Sequence, residues 1–414
     1  MTGFVRFLRG AAVFAGLAVA GSAHAQTSFQ TLYGNAAFDD TALGTVTEGP
    51  DGSIYGVVSG PPPYEGRVYR LAPPATPGGE WQGAYIQYFD QDRPEDGWDA
   101  VGGVVRGANG ELYGMVARGG ANNAGAIYRL SPPPAGVAYW TKDILFSFTG
   151  EGGMRPVGEL TVGPAGELYG QTSSFENPDN CGTVFRLAPK ANPRQPWRFT
   201  EIAQLDQARR GCFPREGLTL GPDGSLYGAA QQGGRKGGGT VFALKPAANG
   251  RFAFNVLAAF SQTSRLRTPF GKVAIDGSGV IYGAAYEGQA PYACGGVFRI
   301  TPATAPGQTA RYETIKTFGI KGDTSCYPVG VALDGDEIVV THAGVADAGS
   351  GPSAAGGGVV SLKPKRAAPD TYGVRRLHVF EAPYRTPSYS PLIAADGSII
   401  GTTRLLSSVW KLTR

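Results

Sequence analysis

One unit recurs seven times along this chain, and a repeat of that kind limits it to architectures that stack or ring identical parts. The clearest copy reads GLTLGPDGSLYGAAQQGGRKGGGTVFAL at 217–244. It comprises a short apolar run, a Pro-Asp-Gly turn, a strand ending in Tyr-Gly, a glycine-rich loop and a further strand. Tyr-Gly recurs at Tyr55-Gly56, Tyr113-Gly114, Tyr169-Gly170, Tyr227-Gly228 and Tyr282-Gly283, with the tyrosines 55 to 58 residues apart. The sixth copy has lost it, reading Glu337-Ile338-Val339-Val340, and the seventh keeps only the glycine, at Ile400-Gly401.

A second element follows each of these. It reads VYRL at 68–71, IYRL at 127–130, VFRL at 184–187, VFAL at 241–244, VFRI at 297–300, VVSL at 359–362 and VWKL at 409–412. Its alternation of apolar and other residues is a strand pattern. A third apolar element comes next, at 85–89, 144–148, 202–205, 256–260, 315–318 and 377–380. The missing seventh is at the other end of the chain, Phe29-Gln30-Thr31-Leu32-Tyr33. Such an offset closes a ring: an N-terminal strand completes the last sheet and removes an exposed edge. The expected fold is therefore all-β, a seven-bladed β-propeller of four antiparallel strands per blade, lettered a to d from the run before the turn.

The a–b turns centre on Asp51-Gly52, Asn109-Gly110, Ala165-Gly166, Asp223-Gly224, Asp276-Gly277, Asp334-Gly335 and Asp396-Gly397. These are hairpin turns. Their carboxylates are single and lack the dense ligand spacing of a calcium loop. An aromatic precedes most d strands: Trp81, Trp140, Trp197, Phe252, Tyr312 and Tyr372. One ring per blade at a constant place reads as packing between blades rather than as a sugar platform. The glycine-rich b–c loops lead into strands, not helix N-termini, so they read as flexible loops and not phosphate cradles.

Residues 1–25 stand apart. Arg6 and Arg9 precede an apolar run at 11–20, and Ala23-His24-Ala25 is a small-x-small cleavage site. This is the pattern of a signal peptide. Its removal leaves 26–414 as a single propeller domain, with 35 basic against 33 acidic residues. Near-neutrality supplies no argument for nucleic acid or a membrane surface, and nothing after Gln26 is apolar for long enough to span a bilayer. The expected location is periplasmic or extracellular, as a monomer.

Four cysteines test the register. Cys181 and Cys294 lie just before strands c, and Cys212 and Cys326 just before the next strands a. In a propeller the b–c and d–a loops share a face, so disulfides Cys181–Cys212 and Cys294–Cys326 are expected in an oxidising compartment. A four-cysteine zinc site would need loops two blades apart to converge and has no close C-x-x-C pair.

Chemistry is harder to find. Two histidines remain after the leader, His342 and His378, too few for a three-histidine zinc site. No G-x-S-x-G, H-E-x-x-H, P-loop or dinucleotide fingerprint occurs. No cofactor, metal site or catalytic residue is assigned. The candidate binding residues lie on the loop face. They are His342 in the degenerate sixth copy, Arg209, Arg210, Arg265 and Arg267 within a basic group that includes Arg215, Arg235 and Lys236, and Asp90 and Asp92 in an acidic cluster with Glu95, Asp96 and Asp99.

The strings GLTLGPDGSLYGAA at 217–230 and GGGTVFAL at 237–244, with ILFSF at 144–148, resemble the GloVer repeat, whose motif runs GL…G.DG.LYGTT…GG…GTVFKL followed by an LYSF strand. The resemblance covers nearly the whole mature chain and is worn in copies 6 and 7. It implies exported, repeat-built β proteins, often with differing C-terminal anchors, and no established catalytic residues. Here the chain ends at 411–414 inside its last blade, so the expectation is a product without an anchor. The leading functional expectation is a non-enzymatic propeller that binds a carbohydrate or an envelope protein through its loop face. The alternative is a propeller enzyme, a carboxylate glycosidase or lyase or a metal-dependent lactonase-like hydrolase, with its site at the channel mouth.

Overall fold

The structure, a computed structural model, describes residues 27–34, 41–60, 66–76, 78–134, 139–150, 154–174, 181–192, 195–248, 250–289, 294–303, 308–319, 325–347, 351–353, 357–365, 368–380, 386–403 and 408–414. The expected signal peptide lies outside them. Seven antiparallel sheets form a β-propeller. Blade 1 is Thr41–Glu48, Ile54–Ser59, Gly66–Ala72 and Gln82–Phe89. Blade 2 is Trp98–Arg106, Leu112–Arg118, Ala126–Ser131 and Thr141–Ser147, and blade 3 is Pro156–Val162, Leu168–Thr172, Gly182–Ala188 and Arg198–Leu205. In blade 4 strand a is split into Cys212–Pro214 and Thr219–Leu220, followed by Leu226–Gln232, Gly237–Pro246 and Phe252–Ser261. Blade 5 is Arg267–Ile275, Ile281–Glu287, Gly296–Thr301 and Arg311–Thr317. Blade 6 is Ser325–Asp334, Glu337–Asp347, Gly358–Lys365 and Ala368–Val379, with Gly351–Ser353 added beside its second strand. Blade 7 is Leu392–Ile393, Ile399–Thr403, Ser408–Thr413 and, from the other end of the chain, Ser28–Gly34. The closing strand pairs antiparallel from Ser28↔Thr413 to Gly34↔Ser408, with one register shift between Thr31 and Tyr33, as the offset of the repeat predicts.

The cores lie between blades. One cluster joins Val57, Val68 and Phe89 of blade 1 to Val104, Leu112 and Tyr128 of blade 2, and the remaining clusters repeat the arrangement around the ring. The recurrent aromatics serve this packing. Tyr55 meets Trp140 of the next blade at 6.0 Å, Tyr113 meets Trp197 at 6.0 Å, and Tyr169 meets Phe252 at 6.1 Å, all as tilted or edge contacts. Such pairs add about 0.5–1.5 kcal/mol beyond the area they bury. The turn aspartates are also structural. Asp51, Asp223, Asp276 and Asp396 each accept the backbone N–H two residues on, from Ser53, Ser225, Ser278 and Ser398 at 2.9–3.1 Å. These are Asx turns.

The Tyr-Gly glycine has a steric cause. Gly228 pairs directly with Phe242 across strands b and c, and a Cβ there would sit 2.6 Å from the ring. The same conflict sets Gly56 against Tyr69, Gly114 against Tyr128, Gly170 against Phe185, Gly283 against Phe298 and Gly401 against Trp410. Blade 6 resolves it the other way: Val340 stands where the glycine should be, and its partner is Val360 instead of a ring. The sixth copy is thus a compensated exchange of one glycine–aromatic pair for two valines.

Both disulfides form as expected, Cys181–Cys212 and Cys294–Cys326, with Cα–Cα distances of 5.0 and 4.5 Å. Each ties a b–c loop to the next blade's strand a. The glycine-rich loops differ from expectation: they are packed, not loose. Gly120 N–H donates to Pro94 O at 2.7 Å and Gly234 N–H to Gln207 O at 2.9 Å, so the b–c loops are laced to the d–a loops.

A double-mutant cycle tests the glycine–aromatic rule. Gly228→Val alone is expected to destabilise by about 3 kcal/mol or more through overpacking, while Gly228→Val with Phe242→Val costs less than the two single changes summed by at least about 1 kcal/mol. Denaturant unfolding measures both.

Candidate functional site

The innermost strands approach one another backbone to backbone. Strand a is interrupted by a register shift in blades 1, 2, 3, 5 and 6, for example between Leu43 and Thr47, Val101 and Val105, and Phe270 and Ala274, and is split in two in blade 4. At the break stand Gly44, Gly102, Gly158 and Gly271, all with positive φ. A Cβ on Gly44 would strike the backbone of Gly102, one on Gly102 that of Gly158, and one on Gly158 would lie 2.6 Å from Glu216 C. On the far side a Cβ on Gly271 would strike Val329 and one on Gly330 would strike Ser390. These contacts make a waist around the central channel. Glycine is required because no side chain fits between the strands. Three blades depart from it: blade 4 carries Glu216, blade 6 carries Val329 and blade 7 carries Ser390.

The next residue along these strands adds Thr45, Glu159 and Lys272, and a polar network fills the waist. Lys272 Nζ pairs with Glu159 Oε1 at 2.5 Å. The Thr45 hydroxyl donates to Glu159 Oε2. Ser390 Oγ donates to Glu216 Oε2 at 2.8 Å, and Lys272 N–H donates to the same oxygen at 2.9 Å. Glu216 Oε1 is buried and has no partner.

Two cavities flank the network, and Thr45 and Glu159 line both. The outer one, on the face of the d–a and b–c loops, is about 520 Å³; its walls include Leu43, Val101, Val157, Phe213, Arg215 and Tyr389. Ser173, Glu216 and Gln231 give it a polar side, and Ser173 Oγ and Gln231 Nε2, like Glu216 Oε1, are buried without a partner. Phe213 is held at φ 58° in the first segment of strand a. The second cavity, about 450 Å³, opens toward the a–b turns and is lined by Val273, Val331 and Leu392 among others.

Burial is the main influence on Glu216 and lifts its carboxyl from 4.5 to about 7; the Ser390 hydroxyl and the Lys272 N–H oppose that rise, and the neighbouring Glu159 charge adds to it. Glu216 is only 7% exposed. Its carboxyl holds a proton in the folded state that the unfolded chain has already released between pH 4.5 and 7. Folding stability from this source is therefore full below pH 4.5 and lost as pH rises through 7, by about 3 kcal/mol.

Of the candidate binding residues, those on or beside the d–a loops keep to the loop face but stay outside the outer cavity. His342 is 2% exposed, buried in the second strand of blade 6, with Nδ1 2.9 Å from Gly344 O; a side chain so placed does not meet a ligand at the surface. Arg210 donates to Gln204 O and covers the Phe254 ring at 4.9 Å. Arg267 pairs with Glu287 at 3.2 Å. The Arg209 N–H is held by Asp206, and Asp90 accepts the N–H of Asp92 in a local turn. Arg265 lines a separate 370 Å³ groove with Lys236 and Tyr312. None of these seven lines the outer cavity. Of the basic group, Arg215 does. His378 stacks on Phe29 at 3.9 Å and packs the ring closure. Among the described residues no cluster of His, Cys, Asp or Glu could hold a metal ion, and no helix is long and apolar enough to cross a membrane.

Glu216 escaped the sequence reading because Gly217 follows it and supplies a glycine one place late. The available signal was a register comparison: Glu216 and Ser390 stand where four copies carry a left-handed glycine.

The profile of the Gloeobacter/Verrucomicrobia repeat family matches residues 42–290 and 141–357. The chain belongs to this family. A search of curated proteins finds no match. Among solved structures, a luciferin-regenerating enzyme is 12% identical with a TM-score of 0.46, covering 94% of this chain and 95% of that one. A Trichoderma reesei carbohydrate-active enzyme of family AA12 is 12% identical with a TM-score of 0.42, covering 75% of this chain and 91% of its own. A putative oxidoreductase (glucose dehydrogenase) from Thermus thermophilus is 14% identical at 0.42, covering 94% and 100%. At these scores no functional argument is drawn from them.

Glu216→Gln is expected to flatten the pH dependence of stability. The variant should gain about 3 kcal/mol relative to the native chain on going from pH 4 to pH 8, measured by urea unfolding across that range.

Proposed function

We propose that this family member is an exported binding propeller that takes a small polar ligand in the outer cavity at the channel mouth. The single observation that carries the reading is the concave site itself: a cavity of about 520 Å³ with buried, unpartnered polar atoms from Ser173, Gln231 and Glu216 along one side. Ligand sites have this make-up, mostly apolar walls with a few placed polar groups, and buried polar atoms left without partners cost free energy that a ligand or water recovers. Two disulfides support export to an oxidising compartment.

The enzyme reading has one observation in its favour. The environments of the two waist carboxyls differ: Glu159 is ion-paired to Lys272, while Glu216 is lifted to about 7 by burial. Carboxyls set apart in this way can serve as acid and base. Turnover of a bound ligand, abolished in both Glu159→Gln and Glu216→Gln, would decide for it.

Thermal unfolding against a panel of monosaccharides, disaccharides, amino acids, nucleosides and polyamines tests the binding reading. A ligand at 100 times its Kd stabilises by about 2.7 kcal/mol. Gln232 is exposed at the cavity wall, so Gln232→Trp should fold normally and lose the ligand-induced rise in Tm. Absence of any rise across the panel would overturn the reading and favour a protein partner on the loop face.

A further inference from the structure

The hydrogen bonds at the waist say which way Glu216 presents itself to the outer cavity, and hence what it can recognise; this step rests on the reading of that cavity as a ligand site. Glu216 Oε2 receives two donors, Ser390 Oγ and Lys272 N. A backbone N–H can only donate, so Oε2 acts as the acceptor. With the Ser390 hydroxyl donating to the same oxygen, both lone pairs of Oε2 are taken, and the carboxyl proton is placed on Oε1, the oxygen without a protein partner.

The charges around Glu216 favour that proton. From blade 3, Glu159 faces it with a carboxylate; from blade 5, the Lys272 ammonium is turned to Glu159 at 2.5 Å. Blade 1 contributes the Thr45 hydroxyl, already given to Glu159, and blade 7 the Ser390 hydroxyl. Arg215, on its own strand, is exposed at the mouth. One ammonium thus serves two carboxyls, and the buried one without it stays neutral, in keeping with the lift to about 7.

We propose that Glu216 donates its Oε1 proton to an acceptor oxygen of a neutral, hydroxyl-bearing ligand of monosaccharide size seated in the outer cavity. Ser173 Oγ and Gln231 Nε2 supply further hydrogen bonds from the same side. Leu43, Val101, Val157 and Phe213 face the remainder with apolar surface. A pyranose matches this division, with oxygens on its edge and C–H groups on its faces. An anion would meet the Glu159 charge, and a cation would need Glu216 ionised.

Isothermal titration of the full mature chain with glucose, galactose, mannose and N-acetylglucosamine at pH 6 and pH 9 tests this, with putrescine in parallel. The expected result is binding of at least one sugar that weakens about 100-fold from pH 6 to pH 9 as Oε1 loses its proton. Glu216→Gln, whose amide N–H donates from the same place, should keep the pH 6 affinity within a few-fold and lose the pH dependence. Glu216→Ala should abolish binding, with thermal unfolding confirming that it folds. In the ligand-free protein, ¹³C-labelled glutamate spectra should show one carboxyl, absent in Glu216→Gln, titrating near pH 7. A carboxyl titrating near pH 4, or sugar binding indifferent to pH and to Glu216→Ala, overturns the proposal. Putrescine binding that strengthens toward pH 9 and disappears in Gln232→Trp would overturn it while leaving the small-ligand reading intact. No binding by any probe, here or in the wider panel, removes both.

Discussion

The close approach of the innermost strands at the channel waist is the constraint on which the rest depends. Seven strands converge there with main chain against main chain, and a Cβ on Gly44, Gly102 or Gly158 would occupy the neighbouring backbone. The repeat meets this with left-handed glycines and a break in pairing, which bends each strand and separates two cavities. Glu216, Val329 and Ser390 are the exceptions, and the two polar ones bond to each other at the axis. The same steric rule that forces glycine elsewhere makes the two polar exceptions informative: both meet in one network with the Lys272 N–H.

A second steric relation repeats farther out. The glycine of Tyr-Gly leaves room for the ring of its strand-c partner, and that ring carries the packing between strands. Blade 6 shows that the relation belongs to the pair and not to either residue, since valines replace both members together. Disulfides from blade 3 to blade 4 and from blade 5 to blade 6, with the strand shared between the chain ends, join the blades by covalent and hydrogen bonds as well as by apolar contact. A scaffold tied in this way can carry partnerless polar atoms at its channel mouth, a cost that folding elsewhere offsets.

Much of the fold was legible because it is written locally and repeatedly. Tyr-Gly, the VFRL strands and the turn glycines each lie within a few residues, and five to seven copies of each make their periodicity unmistakable. The ring closure followed from one missing strand at one end and one extra at the other. The cysteine pairing followed from register alone. The site was not legible in the same way. Its walls come from Leu43, Val101, Phe213 and Tyr389, one residue per strand across most of the chain, and no local motif joins them. The charged residues that looked conspicuous in the sequence found partners near home, Arg210 on Gln204 and Phe254, Arg267 on Glu287.

By itself the sequence determined the blade count, the strand order, the closure and the disulfides, because each rests on spacing along the chain. Only the tertiary structure decided which carboxyl is buried without a counter-ion and which hydrophilic atoms share a cavity. That difference is physical: pairing patterns are periodic in sequence, whereas the desolvation of Glu216 and the loss of its nearest ammonium to Glu159 arise from strands more than fifty residues apart meeting at one axis.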